Sequence, residues 1–237
     1  MEVVGPIHGE NVAAMRNQGA RCAKGKWLFF ADSDCEYDYK KILKCLRTLK
    51  EKSNGLSALG GRYCDLNSSL WSTAYSRIQR IWVYRGIKNK GCGPFPKGNH
   101  LLGGALLVNR EIFLSTEGFN TDLGWGGEEG DWLNRFYHEG HQSGVSYLLS
   151  VKHHNALGFF GFLKRAWVQN FNQGFYGLGE KAKEFDREIS HHSPLIYFRF
   201  SPFKTWPLLV LFFSVGLLAH FLGYLWALVL LKNCLLY

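Results

Sequence analysis

From Trp206 to Leu231 the chain reads WPLLVLFFSVGLLAHFLGYLWALVLL without one formally charged residue. As a helix at about 1.5 Å per residue this run reaches roughly 39 Å, and a hydrocarbon layer is about 30 Å thick. Core helices seldom run so long without a polar face, so the run reads as a membrane span over residues 205–232. Trp206, Tyr224 and Trp226 supply aromatics of the kind that settle at membrane interfaces. His220, in the middle, reads as a neutral residue bonded to a neighbour, with a proton or ligand site as the alternative. Upstream, residues 191–204 mix aromatics with Arg199 and Lys204 and read as an interfacial segment. Arg187, Arg199 and Lys204 precede the span and Lys232 follows it, a bias that places the bulk of the chain on the cytoplasmic side of an inner membrane.

The remainder alternates helix and strand patterns. Asn11–Lys24 carries Val12, Met15, Gly19 and Cys22 on one face, with Asn11 as cap and Gly25 as stop. Lys26–Ala31 is a short aromatic run of strand length. Tyr39–Lys52 sets Ile42, Leu43, Leu46 and Leu49 against a lysine-rich face. Strands are expected near Leu56–Tyr63, Gly104–Val108 and Ser143–Val151, and helices near Leu70–Tyr84 and Asp131–Glu139. The fold class is therefore α/β.

Two acidic constellations carry the chemistry. Asp32 and Asp34 follow the 26–31 strand directly, and open α/β sheets bind ligands beyond the carboxyl ends of their strands. Two carboxylates one residue apart reach a single hard divalent cation, with a diphosphate completing its shell; a solvated loop with a helix cap is the plainer reading. Downstream, a glycine-dense stretch at 118–127 leads into Glu128, Glu129, Gly130 and Asp131 at a helix start. The helix dipole alone favours acids there; the sharper reading makes one of them a general base.

In this order the two constellations resemble the family-2 inverting glycosyltransferases of GT-A fold. The first match runs from Ala14-Met15-Arg16-Asn17-Gln18-Gly19 through Ala23-Lys24-Gly25 and the strand to Asp32-Ser33-Asp34. The second comprises Gly103-Gly104, Arg110-Glu111-Ile112-Phe113, Gly118-Phe119-Asn120, Gly127-Glu128-Glu129-Gly130-Asp131 and Arg135. Several motifs in register over roughly residues 8–155 are far more specific than either cluster alone. The resemblance implies a GT-A-like mixed sheet with flanking helices over residues 1–190 and a nucleotide-diphospho-sugar donor held by Mg2+ or Mn2+. It also implies a glycan or lipid-linked acceptor whose hydroxyl attacks with inversion. Asp34 takes the place of a metal ligand, and Asp32 that of a ribose or metal contact. Glu129 stands in the base position, with Glu128 or Asp131 as alternatives. Gly103 and Gly104 would let backbone approach the sugar or acceptor. His153 or His154 falls where some members place a metal-ligating His, a surface His pair being the other reading. Arg16, with Asn17 beside it, faces donor phosphates or is an exposed helix residue.

Two departures from the family pattern stand out. The match starts almost at residue 1, so a first βαβ portion that reads the nucleotide is expected to be missing. An inactive or binding-only remnant is accordingly the alternative to a membrane-anchored enzyme of envelope glycan synthesis. The Gln-x-x-Arg-Trp motif of processive synthases is absent, Lys164-Arg165-Ala166-Trp167 being its nearest approach, which points to single-sugar transfer.

Composition excludes other classes. The net charge of +9 invites an anionic partner, but the basic helix 40–52 comes with no nucleic-acid motif and reads as a solvated face. The cysteines at 22, 35, 45, 64, 92 and 234 form no Cys-x-x-Cys pair and match no zinc spacing. They read as reduced cytosolic thiols.

Overall fold

The computed structural model describes residues 2–5, 7–51, 55–65, 69–84, 101–123, 127–154, 156–176, 203 and 206–234. Helices α1 (Val12–Cys22), α2 (Tyr39–Glu51) and α3 (Leu70–Tyr84) alternate with strands β1 (Trp27–Ala31), β2 (Cys35–Glu36) and β3 (Leu56–Asp65). Then follow β4 (Ala105–Asn109), α4 (Arg110–Ser115), α5 (Glu128–His138), β5 (Gln142–His153), α6 (Phe159–Tyr176) and α7 (Trp206–Cys234). The strands form one mixed sheet in the order β1-β4-β3-β5-β2, parallel only between β3 and β5.

Alternation along the strands makes three layers, because successive side chains leave a strand on opposite faces. Leu28, Phe30, Leu106, Val108 and Val151 join α1, α4 and α5 around Phe113, Phe119, Trp132 and Phe136. On the other face Leu59 and Leu107, with Leu149 turned over by a register shift in β5 between Val145 and Ser150, meet Ile42, Cys45 and Leu49 of α2, whose lysines stay outside. A separate cluster joins Ala74, Tyr75 and Ile78 of α3 to Phe162 and Ala166 of α6 and Leu208, Leu209 and Phe212 of α7.

Three expectations are corrected. Helix α5 begins at Glu128 rather than Asp131, so Glu128, Glu129 and Asp131 all lie in its first turn, after Gly127 at φ 100°. The C-cap of α1 is Ala23, whose N–H reaches the Gly19 carbonyl at 3.0 Å, two residues before Gly25. Strand β2 and helix α6 were not foreseen: β2 is two residues long, and α6 places exposed Lys164 and Arg165 between buried Phe162 and Ala166. The segment 191–204 lies outside the described residues except for Phe203, as do residues 124–126.

Helix α7 covers the whole uncharged run, and its stretch Trp206–Trp226 is long and apolar enough to cross a membrane, with a mean hydropathy of 2.2. Along one side α7 packs on α6: Phe212 meets Phe162 at 5.5 Å between ring centroids, and Gly216 lies against Asn170. Val210, Leu217, Leu218 and Phe221 are exposed on the rest of its surface.

Candidate active site

The antiparallel register of β1 with β4 sets Ala31 opposite Ala105, so Asp32 emerges beside Gly103 and Gly104. One Asp32 oxygen accepts from Arg16 at 2.8 Å and the other from the Tyr63 hydroxyl at 2.9 Å. Tyr63 in turn accepts from the Gly104 N–H at 3.1 Å. The Tyr37 hydroxyl donates to the Asp32 carbonyl and accepts from the Asp32 N–H, closing the turn. Both glycines are required by close approach. A Cβ on Gly104 would sit 1.9 Å from Asp32 Oδ2, and one on Gly103 would sit 2.3 Å from Arg16 Nη1. The glycines therefore admit the chain's own charged side chains as well as any ligand.

Arg16 of α1, its side chain 11% exposed, joins the two acidic constellations. Its Nη2 holds Asp32, while Nη1 reaches Glu128 Oε1 and Glu129 Oε1, each at 3.2 Å. Burial alone would lower its pKa, but the charges of Glu129 and Asp32 outweigh burial and raise it, so the guanidinium stays charged. Asn17 is used differently. Its amide donates to the Phe119 carbonyl at 2.7 Å and accepts from the Phe119 N–H at 2.9 Å, pinning the loop that begins at Gly118, φ 62°.

The carboxylates of α5 divide by position. Glu129 also accepts from the Gly103 N–H at 3.2 Å and keeps partial exposure. Glu128 is buried, and among the described residues its Oε2 has no hydrogen-bond partner. Its pKa is pushed up from 4.5 to about 7 by burial and by the neighbouring Glu129 charge. Asp131 turns to Arg135 at 2.8 Å, and Arg135 also holds the Gly118 carbonyl at 2.6 Å, so this pair braces the loop rather than joining Arg16.

A third group lies where β2 pairs with β5, with Cys35 opposite His153. His153 Nε2 is 3.1 Å from Asp34 Oδ2, and Cys35 Sγ is 3.6 Å from Asp34 Oδ1. One donor atom from each of Asp34, Cys35 and His153 falls within 4.8 Å of the others. The His153 ring is buried and stacked on Tyr63 at 4.6 Å, which ties this group to the Asp32 turn. An oxygen, a sulfur and a nitrogen converging in this way suit a divalent cation. Burial pushes the Cys35 thiol up to about 12 and, with the Asp32 charge, raises the Tyr63 phenol well above its ordinary value. His154 instead pairs with Glu36 at the surface, at 3.0 Å.

Of the residues singled out in the sequence, Asp32, Arg16, Gly103, Gly104, Glu128 and Glu129 thus come together, and Asp34 joins His153 beside them. Asn17 and Asp131 stand apart on structural duties. Tyr63, Tyr37 and Cys35 were missed. Cys35 follows Asp34 directly and was legible as a donor, whereas nothing local marks Tyr63 within β3 or Tyr37 between β2 and α2. Two surface recesses, one lined by Thr116, Asn134 and His138 and the other by Asn17, Arg21 and Phe113, contain none of the clustered acids.

A strand-end acidic turn, paired glycines and carboxylates at a facing helix start thus lie together beside one mixed sheet. The profile of glycosyl transferase family 2 matches residues 6–114, and that described as the N-terminal domain of galactosyltransferase matches residues 87–155. The chain is thus similar to glycosyl transferase family 2 over residues 6–114. It is similar to the crystal structure of S. aureus TarS 1-349, with a TM-score of 0.45 and 14% identity over 89% of this chain and 60% of that one. This chain therefore spans about 60% of the length of that structure. No curated protein sequence matches it.

Proposed function

We propose that the chain transfers a single sugar, with inversion, from a nucleotide-diphospho-sugar to a hydroxyl of a lipid-linked or envelope glycan acceptor. The observation that carries this reading is the bridge made by Arg16. It holds Asp32, at the end of β1, and Glu129, at the start of α5, within reach of one guanidinium.

Glu129 is the base. It is the more open of the two glutamates that face Arg16, and its Oε1 is fixed by Arg16 and the Gly103 N–H. It takes the acceptor hydroxyl proton as that oxygen bonds to the anomeric carbon and the bond to the diphosphate oxygen breaks. Glu128, which faces the same guanidinium, is the alternative for this role, whereas Asp131 is engaged by Arg135. Asp32 orients the donor end of the cleft, its carboxylate set by Arg16 and Tyr63. Asp34 and His153 would hold Mg2+ or Mn2+, whose chemistry is to neutralise the leaving diphosphate. Gly103 and Gly104 leave space for the reacting sugar against the backbone.

Helix α7 serves as the anchor, supported by its uncharged length and its exposed apolar surface. The excess of Lys and Arg before it supports a catalytic domain facing the cytoplasm. An anchored enzyme meets a membrane-resident acceptor in two dimensions, which suits lipid-linked glycans.

The test incubates the membrane-embedded protein with Mn2+ and a panel of nucleotide sugars, with and without lipid-linked acceptor, and reads nucleoside diphosphate release. Release from one donor, reduced at least about 100-fold in Glu129→Gln with donor binding retained, is the expected result. Metal-dependent donor binding without release would identify a binding-only remnant. Neither binding nor release from any donor would remove the reading.

A further inference from the structure

We infer that Cys35 is a thiolate ligand of the cation site, so that the site takes a transition-metal ion of the Mn2+–Co2+–Zn2+ series in preference to Mg2+. The inference rests on the proposed metal-dependent transfer and goes further by naming a third donor and the ion class it selects.

The argument begins with register. Cys35 and His153 are directly opposed in an antiparallel pair, so their side chains leave the sheet on the same face. Asp34 precedes Cys35 and is drawn to the same spot, because its carbonyl accepts the His154 N–H at 2.8 Å. The imidazole cannot swing away. It is buried at 6% exposure and stacked on Tyr63, and its Nε2 points at Asp34. The three donor atoms already lie within 4.8 Å of one another, so an ion among them needs only small side-chain movements. Cys35 keeps partial exposure, and no disulfide engages it.

Ligand chemistry then decides the ion. Mg2+ demands oxygen in near-octahedral geometry and keeps several waters, so a thiolate and an imidazole suit it poorly. Sulfur and nitrogen bind first-row divalent ions better than Mg2+, least strongly at Mn2+ and more strongly toward Co2+ and Zn2+, and three protein ligands leave positions open for diphosphate oxygens. Coordination exchanges the S–H bond for a metal–sulfur bond, and the thiol proton passes to solvent.

Co2+ titration of the full chain in detergent or nanodiscs reads the ligand directly, since cobalt–thiolate bonds give a near-ultraviolet charge-transfer absorption. Binding with that absorption is expected, and Cys35→Ser should abolish it. Loss of the sulfur should weaken Co2+ by at least about tenfold, the smaller effect seen even for outer-shell partners of a metal, and leave Mg2+ unchanged. A second measurement needs no variant: Co2+ binding to the wild-type chain in weak buffer should release the thiol proton, read with a pH indicator, and Mg2+ should release none. Co2+ binding without the absorption, an absorption that survives Cys35→Ser, or Co2+ binding without proton release overturns the thiolate ligand. Mn2+-dependent transfer that persists at full rate in Cys35→Ser would overturn it while leaving the glycosyltransferase reading intact. A wild-type chain that binds no divalent ion would overturn both the ligand and the metal dependence.

Discussion

His153 Nε2 stands 3.1 Å from the Asp34 carboxylate although the two residues are 119 positions apart. The contact exists because β2, only two residues long, pairs with the end of β5 and turns the acidic loop toward the sheet. The Asp34 side chain is 52% exposed and that of His153 is 8% exposed. The two should therefore respond differently to truncation. Asp34→Ala should lower Mn2+ affinity by at least about tenfold while leaving the unfolding midpoint nearly unchanged. His153→Ala should lose both, because the ring also packs on Tyr63. Calorimetric Mn2+ titration beside thermal unfolding checks this; undiminished affinity in Asp34→Ala removes Asp34 from the site.

Arg16 faces Asp32, Glu128 and Glu129 with its own side chain 11% exposed. Arg16→Met would leave three carboxylates crowded without a cation, and breaking a buried ion cluster from one side costs about 3–5 kcal/mol. Restoring balance with Glu128→Gln in the same chain should recover part of that loss. Urea unfolding of the single and double variants at pH 8 measures both. A stable Arg16→Met would show that the cluster is solvated and the bridge incidental.

Glu128 supplies a pH signature. Burial, then the Glu129 charge, raises its folded-state pKa from 4.5 to about 7. A carboxyl whose pKa is raised on folding stabilises the fold fully below its unfolded value, and that contribution is lost as pH rises through the folded value. Stability should thus fall as pH rises between about 4.5 and about 7. Glu128→Gln, which keeps an acceptor for Arg16, should remove that slope and be more stable than wild type at pH 8. Denaturant midpoints at pH 5, 6, 7 and 8 decide; parallel curves for the two proteins would place the slope elsewhere.

The elements legible in the sequence are those whose periodicity matches their burial. Tyr39–Glu51 and Leu70–Tyr84 show a helical apolar stripe and fold as helices with nearly the expected bounds. Trp27–Ala31 shows itself through aromatic content. What periodicity cannot show is pairing across the chain. Tyr63 looks like any strand residue until β3 sets it beside His153 and Asp32. Arg16 could equally have been an exposed helix residue, and its role follows from the packing of α1 beside α5. Asn17 and Asp131 carry polar groups of the right kind for a ligand, yet both serve the 118–120 loop, a duty visible only once the partners Phe119 and Arg135 are in place.

Gly104 tests whether the site's geometry is set by the backbone. A methyl group there would meet Asp32 Oδ2 at 1.9 Å and Tyr63 Oη at 2.4 Å. Neither oxygen can retreat without loss: Asp32 is held by Arg16, and Tyr63 accepts the Gly104 N–H. Overpacking of this kind costs about 1–3 kcal/mol, and here it would also separate Asp32 from Tyr63. Gly104→Ala should therefore fold with a lowered unfolding midpoint and lose donor binding by more than its stability loss explains. Gly140→Ala is the control. Its φ of 82° strains a side chain, but a Cβ there meets nothing within 4 Å. It should lower the midpoint and leave donor binding intact. Equal loss of donor binding in both variants would mean that stability, rather than the contact of Gly104 with Asp32, limits the site.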